Sequence, residues 1–271
     1  MPTFTHDGTE LYYERHGDGP AIVFAHGAGG NHLSWFQQVP HFRDRYSCIT
    51  FDHRGFGRSL DPRPAEQRPR FDEDLAALID HLELDTVRLV AQSMGGWTCL
   101  GYAATHPERV RALVMADTAG GLTTPEVDAA RAEAAQKRGD LPLLGGALSP
   151  GFRQRDPVGA FLYDQIFALN PPRPAAPAGS SPMDRLAVTA AQAAALTVPV
   201  LFIEGDQDVL IPPEVIRAAH AAMPSSRLAM VADAGHSVYF ERPDQFNRLL
   251  DAVLAEVEGD EASRKGTKAQ R

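Results

Sequence analysis

The residues best placed to do chemistry sit at glycine-flanked turns. The apolar run Val87-Arg88-Leu89-Val90-Ala91 leads directly into Gln92-Ser93-Met94-Gly95-Gly96, with a helical pattern over Met94–Thr105 behind it. That is a strand running through small-x-Ser-x-Gly into a helix. The small residues have a steric reason, since a tight turn brings the backbone on either side of the serine into near contact. A serine hydroxyl becomes a useful nucleophile only when a base takes its proton and a third group orients that base. Candidates for both follow later in the chain. Leu201-Phe202-Ile203-Glu204-Gly205-Asp206-Gln207-Asp208 ends an apolar run in a turn with two carboxylates, and Ala234-Gly235-His236-Ser237 follows another run. The alternative reading of Ser93 is an ordinary helix N-cap.

Two more turns carry recognisable patterns. Phe24-Ala25-His26-Gly27-Ala28-Gly29-Gly30 follows the first buried run, and Phe51-Asp52-His53-Arg54-Gly55-Phe56-Gly57-Arg58-Ser59 follows the next. Together with the serine turn these resemble the α/β-hydrolase family, and the matches run from Ala21 to Glu241 in the family's order. The serine segment resembles the family's nucleophile elbow, with Ala91 where the first glycine usually stands. The resemblance implies Ser93 as nucleophile, His236 as base and Asp208 as orienting acid, Asp208 being the third residue after its glycine; Asp206 is the alternative acid. It places an oxyanion hole at the backbone N–H groups of Ala28 and Met94. It makes His26, Asp52, Arg54 and Ser59 structural, with His53 a weaker candidate for the pocket. No histidine pair has the spacing of a metal site, so neither metal nor cofactor is expected.

A serine at the elbow points to an acyl-enzyme intermediate; members of the family that displace halide or open epoxides carry aspartate there. The expected activity is that of a serine hydrolase of a carboxylic ester or lactone. Two alternatives stay open. Family enzymes that hydrolyse the carbon–carbon bond of ring-fission diketones usually have a proline in the first glycine loop, which this chain lacks. Cofactor-free haloperoxidases, also perhydrolases, usually have an aromatic residue where Ala28 stands. A ligand receptor without activity is a third possibility, though such proteins often lose a triad member. By resemblance the pocket takes Gly27, Gly29, Asn31, Trp35 and Trp97 from the loop and elbow, Phe152, Phe161, Tyr163, Phe167 and Met183 from an insertion, and Val209, Leu210 and Val238 beside acid and base. Arg153, Arg155 and Arg185 of the insertion are the candidates for holding a substrate carboxylate.

These turns need a frame. Continuous apolar runs at Ala21–Ala25, Ser47–Phe51, Val87–Ala91, Val110–Met115, Val200–Glu204 and Arg227–Val231 read as strands buried on both faces. Thr3–His6 and Leu11–His16 flank Asp7-Gly8 and read as a hairpin at the sheet edge. Helical periodicity appears at Asp72–Leu82, Met94–Thr105, Pro213–Ala222 and Asp244–Val257. The alternation predicts an α/β fold: a mostly parallel, twisted sheet of about eight strands flanked by helices. Residues 1–121 and 198–257 form this core. Residues 122–197 contain no strand run and read as an inserted helical lid, with helices at Pro125–Lys137, Pro157–Leu169 and Pro182–Ala195. Residues 258–271 read as a disordered tail.

The 271 residues are 44% hydrophobic and carry a net charge of −9, which fits a globular chain and argues against nucleic-acid binding. Cys48 and Cys99 lie among apolar neighbours and read as buried free thiols. There is no signal-peptide pattern and no apolar run of the ~20 residues a membrane helix needs, so the expected location is the cytoplasm and the expected partner a small ester or lactone. Oligomeric state leaves no trace in the pattern.

Overall fold

The computed structural model describes residues 2–61, 70–172 and 185–269. Eight strands form one sheet: β1 (Thr3–His6), β2 (Thr9–His16), β3 (Ala21–Ala25), β4 (Ser47–Phe51), β5 (Val87–Gln92), β6 (Val110–Ala116), β9 (Val200–Gly205) and β10 (Ser226–Val231). Their order is β1-β2-β4-β3-β5-β6-β9-β10. β1 and β2 are the antiparallel hairpin, β2 joins β4 antiparallel, and the other neighbours pair in parallel.

Alternation along the inner strands explains why their sequences are mostly apolar on both faces. The edge strand β10 exposes Arg227 and Met230 and so departs from the buried strand expected there. Val23 and Ala25 of β3, Leu89 and Ala91 of β5, and Leu113 and Met115 of β6 face one core, with Leu75, Leu78 and Ile79 of the Phe71–His81 helix and Leu100 of the Met94–Thr105 helix. Ile22, Phe24, Val90 and Val114 face the opposite core, with Phe246, Leu250, Val253 and Leu254 of the last helix. Each buried side chain of this size contributes about 1.5–3 kcal/mol, so a polar residue on either face of a central strand needs a special reason. Cys48 and Cys99 are free and buried, one in each core.

Chain order reverses at β3. The chain steps from β3 out to β4, then crosses back to β5 on the other side of β3. A crevice opens at the C-terminal ends of strands where the order reverses, here beyond β3 and β5. The glycine loop after β3 and the serine turn after β5 therefore face one another.

Three expectations change. The segment between β6 and β9 holds a minimal parallel pair, β7 (Leu122–Thr123) with β8 (Val188–Thr189), which closes its base. Two residues per strand are too few to register as a periodic run. The helix expected at Pro182–Ala195 shrinks to Ala190–Ala194, capped by Thr189, because Val188 and Thr189 are taken by β8. The last helix, Pro243–Ala269, runs on through the stretch read as a tail; its Ala, Glu, Arg and Lys are good helix formers, and Glu258 accepts a hydrogen bond from the Tyr46 hydroxyl. Most of the proline-rich stretch 170–182, and Met183, lie outside the described residues. Among the described residues no helix is long and apolar enough to cross a membrane.

The serine turn depends on a close approach. A Cβ built on Gly95 would stand 2.2 Å from the backbone oxygen of Ala25, the last residue of β3. Gly95→Ala is expected to cost about 1–3 kcal/mol by urea unfolding, as overpacking does. Wild-type stability in that variant would show that the turn relaxes freely.

Candidate active site

Ser93 follows β5 with φ 49° and ψ −115°. That conformation is sparsely populated for a residue with a Cβ and persists only where its surroundings enforce it. Its N–H donates to Ala116 O of β6 at 3.0 Å, and the glycine at 95 admits the end of β3. Gly27 is equally constrained: a Cβ there would meet Gln92 Oε1 at 2.0 Å and Ser93 Cβ at 2.9 Å. The near contact behind the small-residue pattern is thus made chiefly with β3 and its loop.

The structure brings Ser93, His236 and Asp208 into one chain of hydrogen bonds. His236 Nδ1–H donates to Asp208 Oδ2 at 2.7 Å, and the Ser93 hydroxyl lies 2.8 Å from His236 Nε2. The partners assign the tautomer: the nitrogen facing the carboxylate carries the proton, leaving Nε2 to accept from the hydroxyl. Asp208 is buried, and its Oδ1 accepts from the N–H groups of Leu210 and Ile211 at 2.7 and 2.9 Å. Asp206 is exposed and turns away. Burial alone pushes the His236 pKa down; the charges of Asp208 and Asp117 overcome this and leave it above the ordinary imidazole value.

Met94 opens the Met94–Thr105 helix, so its N–H has no partner within the helix. Ala28 stands in the facing loop, partly exposed. His26 is a loop anchor, as expected: it bonds Gly27 O through Nδ1 at 2.8 Å and accepts the N–H of His53 on Nε2 at 3.0 Å. Asp52 is buried and accepts from the N–H groups of His32 and Arg58, Arg54 is paired with Asp74, and Ser59 bonds Asp52 O. His53 is sealed in the core, bonded to Thr98.

The expected pocket divides. Trp97 and Leu210 line a cavity of about 210 Å³ with Thr118, Arg131, Arg138 and Ile211. Phe167 packs on Gly29, and the Tyr163 hydroxyl lies 3.0 Å from Ser237 Oγ, next to His236. Val238 and Gly27 are buried beside the base and the serine. Trp35 is a correction: it is 0% exposed and packed among Phe24, Tyr239 and Phe246, because its short helix turns inward onto the last helix. Phe161 is another, 65% exposed on the outer face of its helix, and Val209 is half-exposed. Phe152 packs on Phe240 in the core. Asn31 caps the following turn and donates to Ile166 O at 2.9 Å, so it fastens the insertion rather than lining a pocket. Asn170 does the same, donating to Gly29 O and accepting from Gly57 N–H.

Several residues of the site were not anticipated. Gln92 donates to His236 O at 2.7 Å. Glu241 accepts from Gly235 N–H and from Ser149, tying the histidine turn to the insertion. Asp117 accepts from Gly205 N–H with one oxygen and from Val238 N–H with the other, at 3.2 and 3.1 Å, bridging the acid turn and the base turn. Glu204 is fully buried, and neither of its oxygens has a hydrogen-bond partner among the described residues. Oxygens of Asp117, Glu204 and Asp208 lie within 4.8 Å of one another, the one set among the described residues that could reach a common cation. Three carboxylate charges cannot coexist at that spacing away from water. Burial and the neighbouring carboxylate charges push the pKa of Glu204 and that of Asp117 well up, and of these two Glu204 is the one with no N–H donor among the described residues. The signal was a carboxyl residue inside or ending an apolar run, at Glu204 and at Asp117.

Comparison with known proteins identifies the fold. A family model described as alpha/beta hydrolase fold matches residues 20–243. The 3-oxoadipate enol-lactonase 2 of Acinetobacter baylyi is 29% identical over 260 residues, covering 93% of this chain and 96% of its own. Among solved structures, Est816, described as an N-acyl homoserine lactone degrading enzyme, superposes with a TM-score of 0.76 at 27% identity, over 93% of this chain and 99% of its own. A bromoperoxidase from Bacillus anthracis superposes with a TM-score of 0.71 at 28% identity, over 91% of this chain and 96% of its own.

The raised pKa of Glu204 has a thermodynamic signature. A carboxyl whose pKa is raised by folding favours the folded state only while protonated; stability is lost as pH rises from the unfolded carboxyl's pKa towards the folded one. Glu204→Gln removes that penalty and keeps the shape. Its gain in melting temperature over the parent should be larger at about pH 8 than at about pH 5. A gain that does not depend on pH would mean Glu204 is ionised.

Proposed function

The chain belongs to the α/β-hydrolase fold family, and on that premise we propose that it is a serine hydrolase cleaving a carboxylic ester or lactone through an acyl-enzyme. The observation that carries this reading is the Asp208–His236–Ser93 chain at 2.7 and 2.8 Å, ending on a serine held at φ 49°. Ser93 Oγ attacks the carbonyl carbon while His236 Nε2 takes its proton. The oxyanion that forms is met by the N–H groups of Met94 and Ala28; one such donor typically contributes ~3–4 kcal/mol to the barrier reduction. Asp208 holds the imidazolium. His236 returns the proton to the leaving alkoxide, which departs as an alcohol or, for a lactone, stays tethered to the acyl group. Water, deprotonated by His236, then attacks the ester on Ser93 and releases the acid.

The 122–197 insertion acts as the lid in this reading. Asn31, Asn170, Phe167 and Tyr163 hold it against the glycine loop and the histidine turn, which supports a role in shaping the acyl pocket. The lactone-directed names of two similar proteins support a lactone among the substrates. The similarity to a bromoperoxidase supports a second reading of the same site, in which hydrogen peroxide replaces water at the acyl-enzyme and the product is a peracid.

Turnover of p-nitrophenyl butyrate, a γ-lactone and an enol lactone tests the proposal, with Ser93→Ala as control. Full activity in that variant would sink it. Asp208→Asn is expected to lower kcat about a thousandfold or more, because the amide favours the wrong imidazole tautomer; Asp206→Asn should stay within about threefold. The reverse ordering would reassign the acid. His236 must be neutral to act, and its pKa lies above the ordinary imidazole value. The acid limb of kcat/KM should therefore fall with a midpoint above that value, and a rate constant between about pH 5 and 8 would contradict the role.

A further inference from the structure

We propose that the cavity beside the acid turn is a subsite for a carboxylate carried by the acyl group of the substrate, recognised by Arg138 and Arg131. The inference rests on the serine-hydrolase reading for where the carbonyl sits, and it narrows the substrate class to acyl groups with a terminal carboxylate.

The Pro125–Arg138 helix presents Arg131, Ala134, Ala135 and Arg138 to the cavity, the i, i+3, i+4, i+7 spacing of one helix face. Trp97, three residues beyond Met94, and Leu210, two beyond Asp208, form walls shared with the catalytic turns. Among the described residues two cations and no carboxyl group line this space, in a chain whose net charge is −9. A positive, partly desolvated concavity concentrates anions.

Arg138 makes no ion pair among the described residues, and Arg131 makes one, with Asp128 of its own helix. Of the earlier candidates, Arg153 pairs with Asp164 and Arg185 with Asp72 and Glu73, while the exposed Arg155 lies over the Phe152 ring and does not line this cavity. Arg131 is held by the carbonyls of Leu122 and Gly120 at 2.8 and 2.6 Å, with its guanidinium over the Trp97 ring at 5.2 Å. Its nearest carboxylate, Asp128, stands 3.6 Å away and is half-exposed. Burial pushes the Arg131 pKa down, as expected for a cation under-compensated by charge. Arg138, at the exposed end of the same face, makes no ion pair or side-chain hydrogen bond among the described residues. Its charge is felt at His236, where it opposes the carboxylates, so the cavity and the catalytic base share one field. Arg131 is the fixed wall and Arg138 the movable clasp, able to close bidentately on a carboxylate.

Two p-nitrophenyl esters with five-carbon acyl chains test this: the hydrogen glutarate, anionic, and the valerate, neutral. The parent protein should favour the anionic ester in kcat/KM by about tenfold or more, mainly through KM, as a hydrogen bond to a charged group allows. Arg138→Gln, on an exposed last turn, should cut that ratio about tenfold, and about 0.5 M salt should lower it as well. A preference for valerate, or a ratio unmoved by Arg138→Gln, overturns the subsite. Calorimetry of glutarate with Ser93→Ala protein reads the site without chemistry. Binding that Arg138→Gln weakens supports the subsite, and absence of binding overturns it. Failure to hydrolyse either ester therefore counts against the esterase reading alone.

Discussion

The hydrogen bond from His236 Nδ1–H to Asp208 is the interaction around which the site is organised. Acid and base arrive on separate turns, after β9 and after β10. Each turn is fixed by groups that do no chemistry of their own. Asp117 receives one backbone N–H from each side, Gln92 holds the carbonyl of His236, and Glu241 holds the amide of Gly235. Asp117 adopts φ 53° at the end of β6, a second strained residue beside the strained Ser93. The strain is stored where three strand ends converge, and the buried sheet supplies the packing that maintains it.

This arrangement puts more negative charge beside the base than a triad requires. Asp208 and Asp117 have backbone donors; Glu204 has none and lies in the same buried cluster. Burial and this repulsion push both Glu204 and Asp117 towards the protonated form, which leaves Asp208 free to serve the imidazole. Arg138 acts on the same imidazole from the cavity side with the opposite sign. The basicity of His236 is thus a balance among groups drawn from three different segments of the chain.

Most of the frame is legible in the sequence because burial is. A strand covered on both faces has to be apolar nearly throughout, and five such runs mark the inner sheet, while helices covered on one face show their period. The sixth run, expected at Arg227–Val231, is instead the sheet edge, with Arg227 and Met230 exposed. The glycines at 27 and 95 are legible for a different reason: no side chain fits where β3 meets the serine turn. What escapes is whatever depends on direction rather than composition. Trp35 and Phe161 are both aromatic residues near the site in sequence, yet one points into the core and the other into solvent. Asn31 and Asn170 read as loop residues, although their amides fasten the insertion. Two-residue strands such as β7 and β8 carry too little pattern to find. Glu204 and Asp117 were visible as carboxyl groups in apolar company, but only the fold places them against Asp208.

The central claim is that Ser93 carries the acyl group between the two halves of the reaction. Rapid-quench mass spectrometry during turnover of a p-nitrophenyl ester measures this directly. The account predicts an initial burst of p-nitrophenol approaching one equivalent per chain, together with one acyl group added to the peptide containing Ser93. Steady turnover without a burst, and with the acyl group absent from Ser93 or found on another residue, would contradict it.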